Sequence, residues 1–99
     1  MPAGNRQPKS KPSRETWFVY ILRCEDRSLY TGIAKDLARR CRQHNAGTAS
    51  RYTRSRRPVV LVFQERRTSR SLALKSEAAI KALSRDEKLA LIRGRRSVE

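Results

Sequence analysis

Residues 17–45 read WFVYILRCEDRSLYTGIAKDLARRCRQHN. Aromatic and β-branched residues crowd the first eight positions, Trp17 to Cys24, which is the composition of a β-strand. The run is almost continuously apolar, which places it centrally in a sheet, covered on both faces. Side chains alternate along a strand, so Phe18 and Tyr20 share one face while Val19 and Ile21 share the other. Glu25-Asp26-Arg27-Ser28 supplies turn residues, and Leu29-Tyr30-Thr31 returns as a short second strand, closing a hairpin. Gly32 then ends that strand, where the chain must turn into a helix. Asp36 is placed to cap a helix running from Leu37 to about Asn45, with Gly47 just past its end. Leu37 and Cys41, at i and i+4, face the sheet, and Arg40 and His44 form a second row beside them. Tyr20, Tyr30, Gly32, Arg40 and His44 thus come at intervals that gather them on one surface.

The flanking sequence completes a small domain. The segment from Gly47 to Arg57 carries Arg51, Tyr52, Arg54, Arg56 and Arg57 and reads as an exposed basic loop. Cations interleaved with an aromatic suit a nucleic-acid groove, as they also suit a merely solvated loop. Pro58 fits the first residue of a third, nearly all-apolar strand, Pro58 to Phe63. A helix follows from near Ser69 to about Leu83, with Leu72, Ala79, Ile80 and Leu83 on its buried side. Ser84-Arg85-Asp86-Glu87 has the S-x-x-E form of a capping box, which opens a separate last helix ending before Gly94. The expected fold is α+β, a small three-stranded antiparallel sheet flanked by helices in the order ββαβαα, over residues 15–94. Residues 1–14, rich in prolines and cations with no large apolar residue after Met1, read as a disordered basic arm. Residues 95–99 read as a frayed tail.

A chain of 99 residues makes one domain with a modest core. Lys and Arg number 24 against 9 Asp and Glu, a net charge of +15, and most of the cations are Arg. Arg forks match phosphate geometry, so the surplus favours a polyanion, foremost nucleic acid, bound in a salt-sensitive way. A ribosome-associated protein without chemistry would carry the same surplus. Two cysteines without C-x-x-C spacing and a single His argue against a structural zinc site and a disulfide framework. No apolar run approaches a membrane span and no signal-peptide core precedes the first strand, so no membrane partner is expected and a cytoplasmic location is.

Phosphodiester hydrolysis needs an activated water, neutralisation of phosphate charge, and help for the leaving oxygen. The carboxylates do not cluster, which disfavours a two-metal site. A single Mg²⁺ or Mn²⁺ held by one carboxylate, waters and the substrate phosphate fits better. Glu77 is the carboxylate of choice, in one helical row with Ala73, Ile80 and Lys81 at the edge of the buried side. It also makes an ordinary i,i+4 pair with Lys81. Arg40 can clamp a phosphate, and His44 can take or relay a proton near neutral pH. Tyr20 and Tyr30 are two of only three tyrosines and sit on paired strands. A tyrosine serves as general base only when cations or a metal lower its pKa from about 10; otherwise it packs with its hydroxyl at the rim.

Val19-Tyr20-Ile21, Tyr30-Thr31-Gly32, LARRCRQH at residues 37–44 and the later helical Glu77, in that order, resemble the GIY-YIG nuclease superfamily. The likeness runs from Trp17 to Leu91 and is greatest to the small stand-alone bacterial (UPF0213-like) branch, related to the nuclease domain of the UvrC repair endonuclease. It implies a metal-dependent endonuclease cleaving DNA, in repair or recombination, with the choice between DNA and RNA left open. Tyr30 or Tyr20 would help activate the water, Arg40 would stabilise phosphoryl charge, His44 would assist, and Glu77 would hold one divalent cation, with no small-molecule cofactor. Gly32 matches the motif glycine, where backbone and substrate approach closely. Arg39, Arg51, Arg54, Arg56 and Arg57 would contact nucleic acid, at or near the nucleoid. Phe18 stands where many members have the first Gly, and Thr31 replaces the motif Ile. Ile33 stands where several nucleases place a Lys, a lost cation that bears on tyrosine activation and on substrate choice. A non-catalytic nucleic-acid-binding module of the same fold is the alternative.

Overall fold

The computed structural model describes residues 16–94. Strand β1 (Trp17–Arg23) lies between β2 (Leu29–Ala34) and β3 (Val60–Arg67) in an antiparallel three-stranded sheet ordered β2-β1-β3. Its apolar run is buried on both sides, with Val19, Tyr20, Ile21 and Leu22 at most 1% exposed. Alternation along β1 divides the core into two layers. Tyr20 and Leu22 pack with Phe18, Tyr30, Leu37, Cys41 and Leu61. Val19 and Ile21 pack on the other side with Leu29, Ile33, Phe63, Ile80, Leu91 and Ile92. The first layer is closed by α1 (Leu37–Ala46) and a one-turn helix α2 (Arg51–Arg54), the second by α3 (Arg70–Lys81) and α4 (Arg85–Gly94). The order is the expected α+β ββαβαα, with α2 added.

Local chemistry sets the element ends. The Asp26 carboxylate accepts from the Ser28 N–H at 3.0 Å in the β1–β2 turn, where Arg27 takes a left-handed φ of 74°. Asp36 caps α1 by accepting from the Arg39 N–H at 3.0 Å, and Gly47, left-handed at φ 83°, closes it with its N–H on the Gln43 and His44 carbonyls. The capping box is reciprocal: Ser84 N–H donates to Glu87 Oε1 at 2.8 Å, and Glu87 N–H donates to Ser84 Oγ at 3.1 Å.

Four expectations change. Gly32 does not end β2 or form a turn; the strand continues to Ala34, because Phe18 and Val19 still offer partners to Ala34 and Ile33. β3 starts after Pro58 and runs beyond Phe63 to Arg67, since β1 extends back to Trp17 and pairs with it. At this sheet edge the polar Gln64, Glu65 and Arg66 are exposed. In α3 the buried side is Ala73 and Ile80, flanked by half-buried Ser76 and Glu77, while Leu72 (43% exposed) and Ala79 face outward. The small Ala73 lets the helix lie close on the sheet. Finally, the segment 47–57 is no plain loop: α2 buries Thr53 completely. The basic arm over 1–14 and the tail over 95–99 lie outside the described residues. No helix among those residues is long and apolar enough to cross a membrane.

Candidate active site

Tyr20 projects from the middle of β1 directly opposite Gly32 on β2. A Cβ at Gly32 would stand 2.6 Å from the Tyr20 hydroxyl oxygen and 2.8 Å from its Cζ. The glycine therefore makes room for the phenol, rather than for a turn. Tyr30, two residues earlier on the same face, brings its ring to 6.5 Å from that of Tyr20. α1 adds His44, whose ring stands edge-on to both tyrosines, 5.9 Å from Tyr20 and 5.1 Å from Tyr30.

His44 is 1% exposed, although its row on α1 was expected to lie outside the apolar stripe. A buried imidazole needs partners for both nitrogens, and it has them. Nε2 lies 2.9 Å from the Tyr20 hydroxyl and Nδ1 lies 2.8 Å from Thr53 Oγ1. Thr53 Oγ1 in turn lies 2.9 Å from Ser50 Oγ, which caps α2 by accepting from the Thr53 N–H at 3.1 Å. A neutral imidazole donates from one nitrogen and accepts at the other. Either neutral tautomer satisfies both ring nitrogens: the Tyr20 hydroxyl donates to Nε2 while Nδ1–H donates to Thr53 Oγ1, or both bonds run the other way.

Electrostatics keep this pair uncharged. Burial, with the Tyr30 phenol beside it, pushes the Tyr20 hydroxyl up to about 12, against the opposing pull of the Arg40 guanidinium. Burial, followed by the Arg40 charge, holds His44 below its usual range. Tyr20 therefore moves in the opposite direction from the one a free tyrosinate base requires, and near neutrality it keeps its proton unless His44 receives it.

Arg40 is anchored at the open edge of the sheet. Its Nε donates to Gln43 Oε1 at 3.2 Å and its Nη1 to the Ile33 carbonyl of β2 at 3.3 Å. β2 is an edge strand, so an outward carbonyl there lacks a strand partner and accepts this donor. The fork is fixed in orientation while facing the Tyr20 hydroxyl. The Ile33 side chain points the other way, into the layer under α3.

On its outer side Tyr30 stacks on Tyr52 at 6.0 Å and 26°. The Arg56 guanidinium lies 3.9 Å above the Tyr52 ring, and is held by Asp26 Oδ2 at 3.0 Å and the Tyr52 carbonyl at 2.9 Å. Arg56 thus buttresses the site. Arg57 is also committed internally, donating to the Arg54 and Asn45 carbonyls at 2.8 and 3.3 Å. Arg39, Arg51 and Arg54 project outward.

The structure therefore brings Tyr20, Tyr30, Gly32, Arg40 and His44 together. Glu77 stands apart from them. It lies on α3, over the other sheet face, with its side chain 19% exposed and its carboxylate 3.2 Å from Lys81 Nζ. It bonds to none of the tyrosines, Arg40 or His44. Among the described residues no three His, Cys, Asp or Glu side chains gather as a metal cage. The donor chemistry fits one hard oxygen ligand for a hydrated divalent cation, and nothing larger. Thr53 and Ser50 were missed from sequence as site components, and Tyr52 was read only as the aromatic of the basic loop, not as a partner of Tyr30. The S-x-x-T cap at Ser50–Thr53 was the available signal for α2.

The chain is similar to known proteins in sequence and fold. A family model described as the GIY-YIG catalytic domain matches residues 16–90. UPF0213 proteins of Staphylococcus aureus strains Mu3 and N315 are each 51% identical over 81 residues, covering 82% of this chain and 99% of those proteins. The solution structure of a UPF0213 protein from Bacillus halodurans aligns with a TM-score of 0.53 at 40% identity, over 79% of this chain and 83% of that one. A second solution structure, of a protein from E. faecalis, aligns with a TM-score of 0.54 at 36% identity, over 78% and 83% of the two chains.

Proposed function

The chain belongs to the GIY-YIG family, a family of nuclease folds, and on that footing we propose that it is a metal-dependent endonuclease hydrolysing DNA phosphodiester bonds, in repair or recombination. The observation that carries the proposal is the buried Tyr20–His44 pair set between Tyr30 and an Arg40 fixed at the sheet edge. The Tyr20 hydroxyl joins a histidine in a polar chain of four residues and faces a guanidinium, groups that can pass a proton and offset charge.

Roles follow from exposure and charge. Tyr30, half-buried at the mouth, orients the attacking water. His44, held neutral by burial and by Arg40, is the proton acceptor of the cluster, with Tyr20 between it and the mouth. Arg40 offers its fork to the phosphoryl oxygens and offsets the charge that develops there. Glu77, on α3, would hold one Mg²⁺ or Mn²⁺. Such an ion neutralises phosphate charge and eases departure of the leaving oxygen. The exposed Arg39, Arg51 and Arg54 hold the nucleic acid.

The pairing of Glu77 with Lys81, away from the tyrosines, favours a second reading, a nucleic-acid-binding module of this fold without turnover. Incubation with labelled single-stranded, duplex and branched DNA separates the two. New ends that form with Mg²⁺ or Mn²⁺ and vanish with EDTA establish the nuclease. Binding with intact DNA under every condition establishes the module.

A further inference from the structure

A second group of cations lies beside the reacting cluster. A cleft of about 370 Å³ opens between the start of β1 and the first turns of α1, lined by Trp17, Lys35, Asp36, Arg39, Arg40 and Gln43. We infer that this cleft is a phosphate subsite, which takes the backbone phosphate next to the scissile one in a bound nucleic-acid strand. The inference rests on the nuclease reading for the word scissile, and on geometry for the rest.

Arg40 is the link. It lines this cleft and also faces the Tyr20 hydroxyl, so a strand whose reacting phosphate meets Arg40 continues into the cleft. The cleft carries three cationic side chains against one carboxylate. That carboxylate is already committed, with Asp36 Oδ1 accepting the Arg39 N–H. Lys35, Arg39 and Arg40 bring three positive charges to the cleft at the positive end of α1, where the single Asp36 carboxylate offsets only one of them and a bound anion would offset another. Trp17 gives the cleft an aromatic wall, with Lys35 Nζ and Arg70 Cζ each 5.8 Å from its ring centroid. Cations spaced round an aromatic face are what a strand with alternating phosphates and bases requires. The volume is at the lower end of the roughly 300–1,000 Å³ typical of small-molecule pockets, enough for one backbone unit.

Trp17 is the only tryptophan in the chain, so its emission reports on this cleft alone. The experiment titrates an oligothymidylate into the intact protein in EDTA, following Trp17 emission and, in parallel, the anisotropy of a labelled strand. Wild type should give a saturable change in emission that coincides with binding. Lys35→Gln/Arg39→Gln should weaken binding about tenfold and flatten the salt dependence by about two phosphate contacts. Arg85→Gln/Arg93→Gln removes the same charge from exposed positions on α4 and should shift binding less than about threefold. Equal losses in the two double variants, or binding without any change in Trp17 emission, overturn the subsite. In Mg²⁺, an uncharged methylphosphonate beside the scissile bond should slow wild-type cleavage about tenfold and leave the Lys35/Arg39 variant no slower than on normal DNA. Equal slowing of both also overturns it. If wild type cleaves nothing while the fluorescence results hold, the nuclease reading fails and the cleft stands as the phosphate site of a binding module.

Discussion

Gly32→Ala is the substitution whose outcome the structure fixes most sharply. In an unconstrained strand, alanine is better than glycine by roughly 0.5–1 kcal/mol, so a simple backbone argument expects stabilisation. Here the new Cβ would meet the Tyr20 oxygen at 2.6 Å and Cζ at 2.8 Å, whereas ordinary contact begins at 3.4 Å. The phenol must retreat by roughly 0.8 Å, and packed interiors do not yield that far without strain. Tyr20 is 1% exposed and boxed between Tyr30 and His44, so no solvent-filled space receives it. Overpacking costs about 1–3 kcal/mol, and loss of the buried bond to His44 Nε2 costs about 1–3 kcal/mol more. The two are not independent, which leaves a destabilisation of about 2–4 kcal/mol. For a domain of this size that lowers Tm by about 10 °C or more. Thermal unfolding followed by circular dichroism measures it, with Tyr20→Phe/Gly32→Ala as a companion that should lose less than the sum of the single variants. A Tm equal to or above wild type would refute the assignment of Gly32 as the space for Tyr20.

Other consequences are as direct. Thr53→Val keeps the shape but strips Nδ1 of His44 of its partner, and should lower stability by about 1–3 kcal/mol in urea denaturation, with Thr53→Ser close to wild type. Because burial holds the His44 pKa below its unfolded value, acid acts with a fixed sign. As pH falls through about 6.5 the unfolded chain takes up a proton that the folded chain does not. Stability should therefore be intact above that pH, decline below it, and decline less in His44→Gln, as Tm measured across the range will show. Arg40→Ala should lower the single-turnover rate on DNA by about 10²–10³-fold while weakening binding only slightly, because so many other cations remain; a loss confined to affinity would remove Arg40 from the chemistry.

Much of the fold was legible because single residues announce it. The apolar run from Trp17 to Cys24, Asp36 and Gly47 at the ends of α1, and the Ser84–Glu87 box each carry a local physical reason that tertiary structure did not override. The misreadings share a cause, which is that they depend on a partner. Gly32 looks like a turn until the cross-strand phenol of Tyr20 is set opposite it. The polar end of β3 looks like a loop until β1 pairs with it. His44 looks exposed because α2, the element that buries it, is one turn long and half of its residues are arginines. The phase of α3 was misjudged because Leu72 reads as core, whereas the small Ala73 is what allows close approach. At the site, the cluster of Tyr20, Tyr30, Arg40 and His44 was visible as spacing. Thr53 and Ser50, and Tyr52 as a partner of Tyr30, were not, since a hydrogen-bond chain and an aromatic stack leave no periodic trace.

The most direct measurement is single-turnover cleavage of end-labelled DNA in Mg²⁺ at saturating protein, wild type beside Glu77→Ala, with binding measured separately in EDTA. Loss of the i,i+4 pair between half-buried Glu77 and exposed Lys81 costs about 0.5 kcal/mol, so the variant should fold and bind DNA as wild type does. A nuclease with its metal on Glu77 predicts metal-dependent cleavage by wild type and none by the variant. Equal cleavage by the two proteins would contradict the metal assignment, and no cleavage by either would contradict the nuclease.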